Sequence, residues 1–146
     1  MNASIQKFIS GKRIALAGAS RSGKKFGNAA LKELTERGYE VSLIHPEATV
    51  IDGQPCYPSL SALPEQVDGV LVVLPPLQAA DILRQASACG LRNVWIQQGG
   101  ESPELIELGQ ELNLDIVTGK CIMMYAPPVR SFHSFHRFFV KLAGQY

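Results

Sequence analysis

KRIALAGASRSGKKFG, residues 12–27, is the stretch whose reading decides the fold. The apolar run Ile14-Ala15-Leu16-Ala17 feeds into Gly18, six small or basic residues lead on to Lys25, and an amphipathic segment begins just beyond Gly27. That order spells strand, glycine-containing turn, helix. The first backbone N–H groups of a helix have no partner within it and the summed peptide dipoles make that end partly positive, so such a turn favours a phosphate. Gly18, Gly23 and Gly27 would let backbone approach the ligand, and Arg21, Lys24 and Lys25 add full positive charge.

Outward from that stretch, the same alternation repeats. Upstream, Ile5, Phe8 and Ile9 stand at helical spacing before Gly11, which predicts a short packing helix. Downstream, Ala30, Leu31 and Leu34 mark the buried side of a helix closed by Gly38, and EVSLI (Glu40 to Ile44) is a strand stopped by His45-Pro46. The proline-rich stretch Glu47 to Pro64 reads as loop, with at most an edge strand around Pro55 to Tyr57. VLVVL (Val70 to Leu74) has no alternation, as expected of a strand covered on both faces, and Pro75-Pro76 ends it. A helix then carries Ala79, Ile82, Leu83 and Ala86 at i, i+3, i+4, i+7 and closes at Gly90. NVWIQ (Asn93 to Gln97) is the next strand, ended by Gln98-Gly99-Gly100. Ser102 is a plausible N-cap with Pro103 in the first turn, Leu105, Leu108 and Leu112 line the helix that follows, and Leu114 to Thr118 forms a last strand before Gly119-Lys120-Cys121.

Strands alternating with helices through short turns imply right-handed crossovers and a parallel sheet. The expected fold is α/β: a doubly wound, mostly parallel sheet of five or six strands with helices on both faces, Rossmann-like. In such sheets the ligand lies outside the C-terminal strand ends, where strand order reverses. Five turns fall there: Gly18-Ala19-Ser20, His45-Pro46, Leu74-Pro75-Pro76, Gln97-Gln98-Gly99 and Gly119-Lys120-Cys121.

At 146 residues the chain has the size of one domain, 1–146, with a core over about 10–125 and an aromatic-rich helix over about 129–143. A formal net charge of +1 supplies no global field for nucleic acid or an anionic membrane, so electrostatic attraction must be local. No apolar run approaches the ~20 residues that span a bilayer, and the N-terminus lacks a signal-peptide pattern. Cys56, Cys89 and Cys121 are odd in number and lack C-x-x-C spacing, arguing against a disulfide framework and a structural zinc site and for a reducing cytosol. A cytoplasmic protein is therefore expected.

Three phosphate ligands compete for the glycine turn. Gly18-x4-Gly23-Lys24 matches a P-loop, but Lys25 stands where a magnesium-binding hydroxyl should, and no strand ends in a Walker B acid. A nicotinamide dinucleotide would want G-x-G-x-x-G and an acid ending the second strand, whereas this turn begins Gly18-Ala19-Ser20 and Glu47 lies beyond a proline. The third candidate is coenzyme A. The combination of GAS with a basic turn, His45-Pro46, Cys56-Tyr57-Pro58-Ser59-Leu60, Val70 to Pro76, Val94 to Gly99 and Lys120-Cys121 resembles the small stand-alone CoA-binding domain proteins, which are similar to the N-terminal domain of the succinyl-CoA synthetase alpha subunit. The resemblance spans residues 10–125. It implies that the turn holding Ser20 and Arg21 takes CoA phosphates, that Pro46 borders the adenosine end, and that Val73 to Pro76 and Gln97 flank nucleotide and pantetheine. Where the family often has Asn-Pro and a basic residue, this chain has His45-Pro46-Glu47; Lys24 and Lys25 could compensate.

The expected binding set is therefore Gly18, Ala19, Ser20, Arg21, Lys24, Lys25, Gly27, His45, Pro46, Val73, Leu74, Pro75, Pro76, Gln97, Gln98, Gly99 and Cys121. No catalytic residue and no metal ligand is expected. His45 is one histidine without an identified acid, which is weak ground for chemistry. His133 and His136 have a legal metal spacing but no clear third ligand. The expected activity is non-catalytic binding of CoA or an acyl-CoA, as sensor or carrier. The alternatives are an NAD(P)-dependent or thioester-handling enzyme using His45 or Cys121, or a redox protein storing CoA as a disulfide on Cys121. Phe132, Phe135, Phe138 and Phe139 exceed what one helix face needs, so a homodimer contact is weighed beside ordinary packing.

Overall fold

The computed structural model describes residues 3–127. The expected helix over 129–143, with its phenylalanines, histidines and the dimer contact drawn from them, lies outside those residues.

β1 (Arg13–Ala17), β2 (Glu40–Ile44), β5 (Gly69–Val72), β6 (Asn93–Gln97) and β7 (Asp115–Lys120) run parallel, and with β3 (Val50–Ile51) and β4 (Gln54–Tyr57) they form one sheet in the order β3-β4-β2-β1-β5-β6-β7. Because successive strand residues face opposite sides, Ile14, Leu16, Leu71 and Trp95 go to one layer and Ala15, Ala17, Val70, Val72, Val94 and Ile96 to the other. α1 (Ala3–Ile9) and α2 (Phe26–Glu36) cover the first face through Ile5, Phe8, Ala30, Leu31 and Leu34. α3 (Pro76–Ala88) and α4 (Pro103–Glu111) cover the second through Ala79, Ile82, Leu83, Ala86 and Leu105. Double coverage explains why the central strands read as unbroken apolar runs. The architecture is the expected doubly wound, mostly parallel α/β sheet.

The sheet has seven strands, which corrects the expected five or six. The extra pairing comes from the proline-rich stretch read as loop: Val50 and Ile51 pair antiparallel with Pro55 and Gln54 around Asp52-Gly53. Both turn residues are in the left-handed region, Asp52 at φ 50° and Gly53 at φ 77°, as a two-residue hairpin turn requires. A two-residue strand is too short to show periodicity, and Pro55 belongs to the hairpin at the sheet's edge, where a missing N–H is tolerated.

The last strand also differs from expectation, since Gly119 and Lys120 belong to β7 and not to a turn after it. Trp95 pairs with Val117 but Gln97 pairs with Lys120, so one extra residue bulges out, and Gly119 at φ 72° absorbs it. At the opposite, N-terminal rim, Asp68 Oδ2 accepts from the N–H groups of Lys12 and Arg13, both at 3.0 Å, and Arg13 is held above its ordinary value chiefly by its hydrogen bond to Glu40.

Candidate functional site

Strand order reverses between β1 and β5: from β1 the chain moves outward to β2 on one side and later returns to β5 on the other. A crevice must open there because the two following segments leave in opposite directions. The structure has a cleft of about 550 Å3 at this point, lined by the ends of β1, β2 and β5 and by one face of α3. Its size falls within the range of small-molecule sites, ~300–1,000 Å3.

The glycine turn after β1 forms the floor. Asn28, in the first turn of α2 and only 5% exposed, holds it in shape. Its Oδ1 accepts from Ser20 N at 2.9 Å and Lys25 N at 3.3 Å, while its Nδ2 donates to Ser20 O and to Asp52 Oδ2, both at 2.9 Å. One amide thus ties both ends of the turn and the tip of the β3–β4 hairpin to the helix start. The N–H groups of Phe26 and Gly27, the first of α2, donate to no protein acceptor among the described residues, the condition under which a helix start receives an anion.

Two of the glycines serve the chain's own packing. A Cβ on Gly18, whose φ is +136°, would run into the Val73 carbonyl, and a Cβ on Gly27 would run into the Gly18 carbonyl. These contacts bring β1, β5 and α2 close enough to make the cleft a single surface.

The wall at the end of β2 is set by His45. Its Nδ1 accepts from Glu47 N at 3.1 Å and from Ala48 N at 2.9 Å, so in the neutral ring the proton sits on Nε2, which can only donate. Glu47 lines the cleft, and its Oε1 lies 3.7 Å from Arg21 Nη2, an exposed pair that joins the glycine turn to the end of β2.

The sequence pattern of the CoA binding domain family matches residues 12–127. The chain belongs to that family. A conserved hypothetical protein from Pyrococcus furiosus shares 36% identity and superposes with a TM-score of 0.72, covering 77% of this chain and 97% of its own. A hypothetical protein from Pyrococcus horikoshii shares 28% identity with a TM-score of 0.74, covering 92% and 89%. The ADP-forming acetate–CoA ligase I of Archaeoglobus fulgidus is 25% identical over 130 residues, 82% of this chain. The chain spans only 19% of that ligase.

In this CoA binding domain the structure brings only part of the expected binding residues together. Gly18, Ala19, Ser20, Lys25, His45, Pro46, Val73, Leu74 and Pro75 line the cleft together. Arg21 and Lys24 are exposed on the turn above it, and Gly27 is buried under the turn. Pro76 starts α3 and lines a separate groove between α3 and α4. The ends of β6 and β7 lie on the same rim but outside the cleft. Gln97 is 8% exposed and its Oε1 accepts from Ile122 N at 3.0 Å, a structural bond. Gln98 N donates to Lys120 O at 3.1 Å, Gly99 N donates to Glu101 Oε2 at 2.8 Å, and Cys121 is half-buried before a 3-10 turn at Ile122–Met124.

Sequence reading missed the α3 wall: Leu77, Gln78, Asp81, Ile82 and Gln85. Gln85 Nε2 donates to Asp81 Oδ2 at 2.8 Å and its Oε1 accepts from Leu60 N at 3.0 Å, which ties α3 to the neighbouring 3-10 turn at Leu60–Ala62. The signal was present: Gln78, Asp81 and Gln85 recur at helical spacing beside the apolar stripe. Among the described residues, no group of three His, Cys, Asp or Glu side chains could hold a metal, and no helix is long and apolar enough to cross a membrane.

Proposed function

We propose that this protein binds coenzyme A or an acyl-CoA in the cleft between the ends of β1, β2 and β5, without catalysing a reaction, as a cytoplasmic sensor or carrier. One observation carries the reading: the family match and the cleft coincide, because the turn near the start of the matched region, 12–127, also forms the floor of the cleft at the sheet's topological switch point. The residues present suit the diphosphate of such a ligand. The unpartnered N–H groups of Phe26 and Gly27, the Lys25 ammonium and the exposed Arg21 and Lys24 side chains would hold phosphate oxygens, and the apolar lip made by Val73, Leu74, Pro75 and Leu77 would flank the rest. Bound CoA would supply a thiol able to carry an acyl group.

The enzyme alternatives gain no support from the geometry. Cys121 is not among the cleft-lining residues, and His45 Nδ1 already accepts two backbone N–H groups. The test is native mass spectrometry and calorimetric titration with CoA, acetyl-CoA, NAD and ATP under identical low-salt conditions. Saturable CoA binding that NAD does not compete is expected. The Arg21→Glu, Lys24→Glu double variant should lose about tenfold or more in affinity, because two favourable charges become repulsive. Undiminished CoA affinity in that variant, or binding of NAD or ATP alone, overturns the reading.

A further inference from the structure

Charge is distributed unevenly in the cleft. Its charged lining residues are Lys25, Glu47 and Asp81: one cation at the phosphate turn against two carboxylates, one at the end of β2 and one on α3. Lys25 stands at the start of α2, beside the helix N–H groups, so its charge belongs to the diphosphate. The end of β2 is where doubly wound folds read the ribose: a carboxylate there accepts from the ribose hydroxyls, whereas a basic side chain is what accommodates a ribose phosphate. Here the carboxylate on that side of the cleft is Glu47, beyond the Pro46 turn that follows β2.

A second observation points the same way. A turn after a strand can bind an anion through consecutive backbone N–H groups. At this turn the N–H groups of Glu47 and Ala48 are already taken by His45 Nδ1, at 3.1 and 2.9 Å. The exposed Arg21 side chain, 3.7 Å from Glu47, belongs with Lys24 and Lys25 to the turn that takes the diphosphate. Backbone donors and side-chain charge at the end of β2 therefore both leave that turn without an anion receptor of its own among the described residues.

We propose that the cleft discriminates at the ribose, with Glu47 and the His45-occupied turn favouring a CoA-type nucleotide whose ribose hydroxyls are free over one carrying a ribose phosphate. Within the CoA series the preferred ligand is dephospho-CoA. The inference rests on the functional reading above, that a CoA-type nucleotide occupies this cleft, and it adds which form of the nucleotide the cleft selects. A ribose phosphate would bring close to two negative charges within a few ångströms of the Glu47 carboxylate, which in a solvent-open site weakens binding about tenfold.

Calorimetric titration of the full chain with dephospho-CoA and with CoA at low salt tests this, using wild type, Glu47→Gln and Glu47→Lys. Wild type should bind dephospho-CoA about tenfold more tightly than CoA, and the ratio should shrink as salt screens the repulsion. Glu47→Gln should narrow the ratio and Glu47→Lys should reverse it. Glu47 is exposed, so both variants should keep the wild-type melting temperature. Tighter binding of CoA than of dephospho-CoA by wild type, or a ratio that Glu47→Lys leaves unchanged, overturns the inference while leaving the functional reading intact. Failure of both nucleotides to bind removes the functional reading itself, and the inference falls with it.

Discussion

Replacing Asn28 tests whether one buried amide shapes the phosphate turn. Asn28→Ala removes four hydrogen bonds, two accepted and two donated. Each is worth about 0.5–1.5 kcal/mol net, and water can reach the exposed residues of the turn, so a loss of about 2–4 kcal/mol is expected. Asn28→Asp is the more informative variant. One carboxylate oxygen can still accept from Ser20 N and Lys25 N, but the other replaces a donor and faces Ser20 O and Asp52 Oδ2, each 2.9 Å from the present nitrogen. Two carboxylates so placed cannot both ionise without repulsion, so the pair retains a proton in the folded state above the ordinary carboxylate range. A folded state that binds more protons than the unfolded one loses stability as pH rises. The deficit of Asn28→Asp relative to wild type should therefore be larger at pH 8 than at pH 5, where a retained proton restores one donor. Urea melts of the three proteins at both pH values measure this. A cost below about 0.5 kcal/mol for Asn28→Ala, or a pH-independent deficit for Asn28→Asp, would refute the role given to the amide.

Two further predictions concern other parts of the fold. Arg37 is 4% exposed, and its Nη1 donates to Met123 O at 2.9 Å and Ala126 O at 2.7 Å while Nε pairs with Glu33 at 2.8 Å. Arg37→Met should cost about 2–3 kcal/mol by orphaning those carbonyls, read as a lowered urea midpoint with an unchanged slope. Burial raises the Cys56 thiol above its ordinary value of 9.0, so it should react with iodoacetamide more slowly at pH 7.5 than exposed Cys89; peptide mass mapping over time gives the order, and Cys56 reacting first would contradict it.

The parallel core was legible because its strands are buried on both faces and its helices are amphipathic: Val70 to Leu74 and the Ala79, Ile82, Leu83, Ala86 stripe each carry their own signature. The hairpin at Val50–Tyr57 was not, since two-residue strands have no period and Pro55 argued against pairing; Asp52-Gly53 was the overlooked cue. At the site, the glycine turn showed itself through composition. The separation of Gln97 from the cleft did not, because all parallel strand ends share one rim and only the packing shows which neighbours open a crevice. Asn28 escaped notice for a related reason. A polar residue inside a helical pattern is silent until its partners, here as distant as Asp52, are brought beside it.

Trp95 is the chain's one tryptophan and is fully buried, with its ring 5.3 Å from that of Phe8 and its Nε1–H donating to Lys120 O at 3.0 Å. It belongs to the layer under α1 and α2, whereas the far wall of the cleft is built from α3 on the other side of the sheet. The protein thus carries an intrinsic fluorophore that is absent from the cleft lining and set against its N-terminal helix. Its emission should shift when α1 comes away and stay still on ligand addition, so unfolding and occupancy can be followed as separate signals from the unmodified chain.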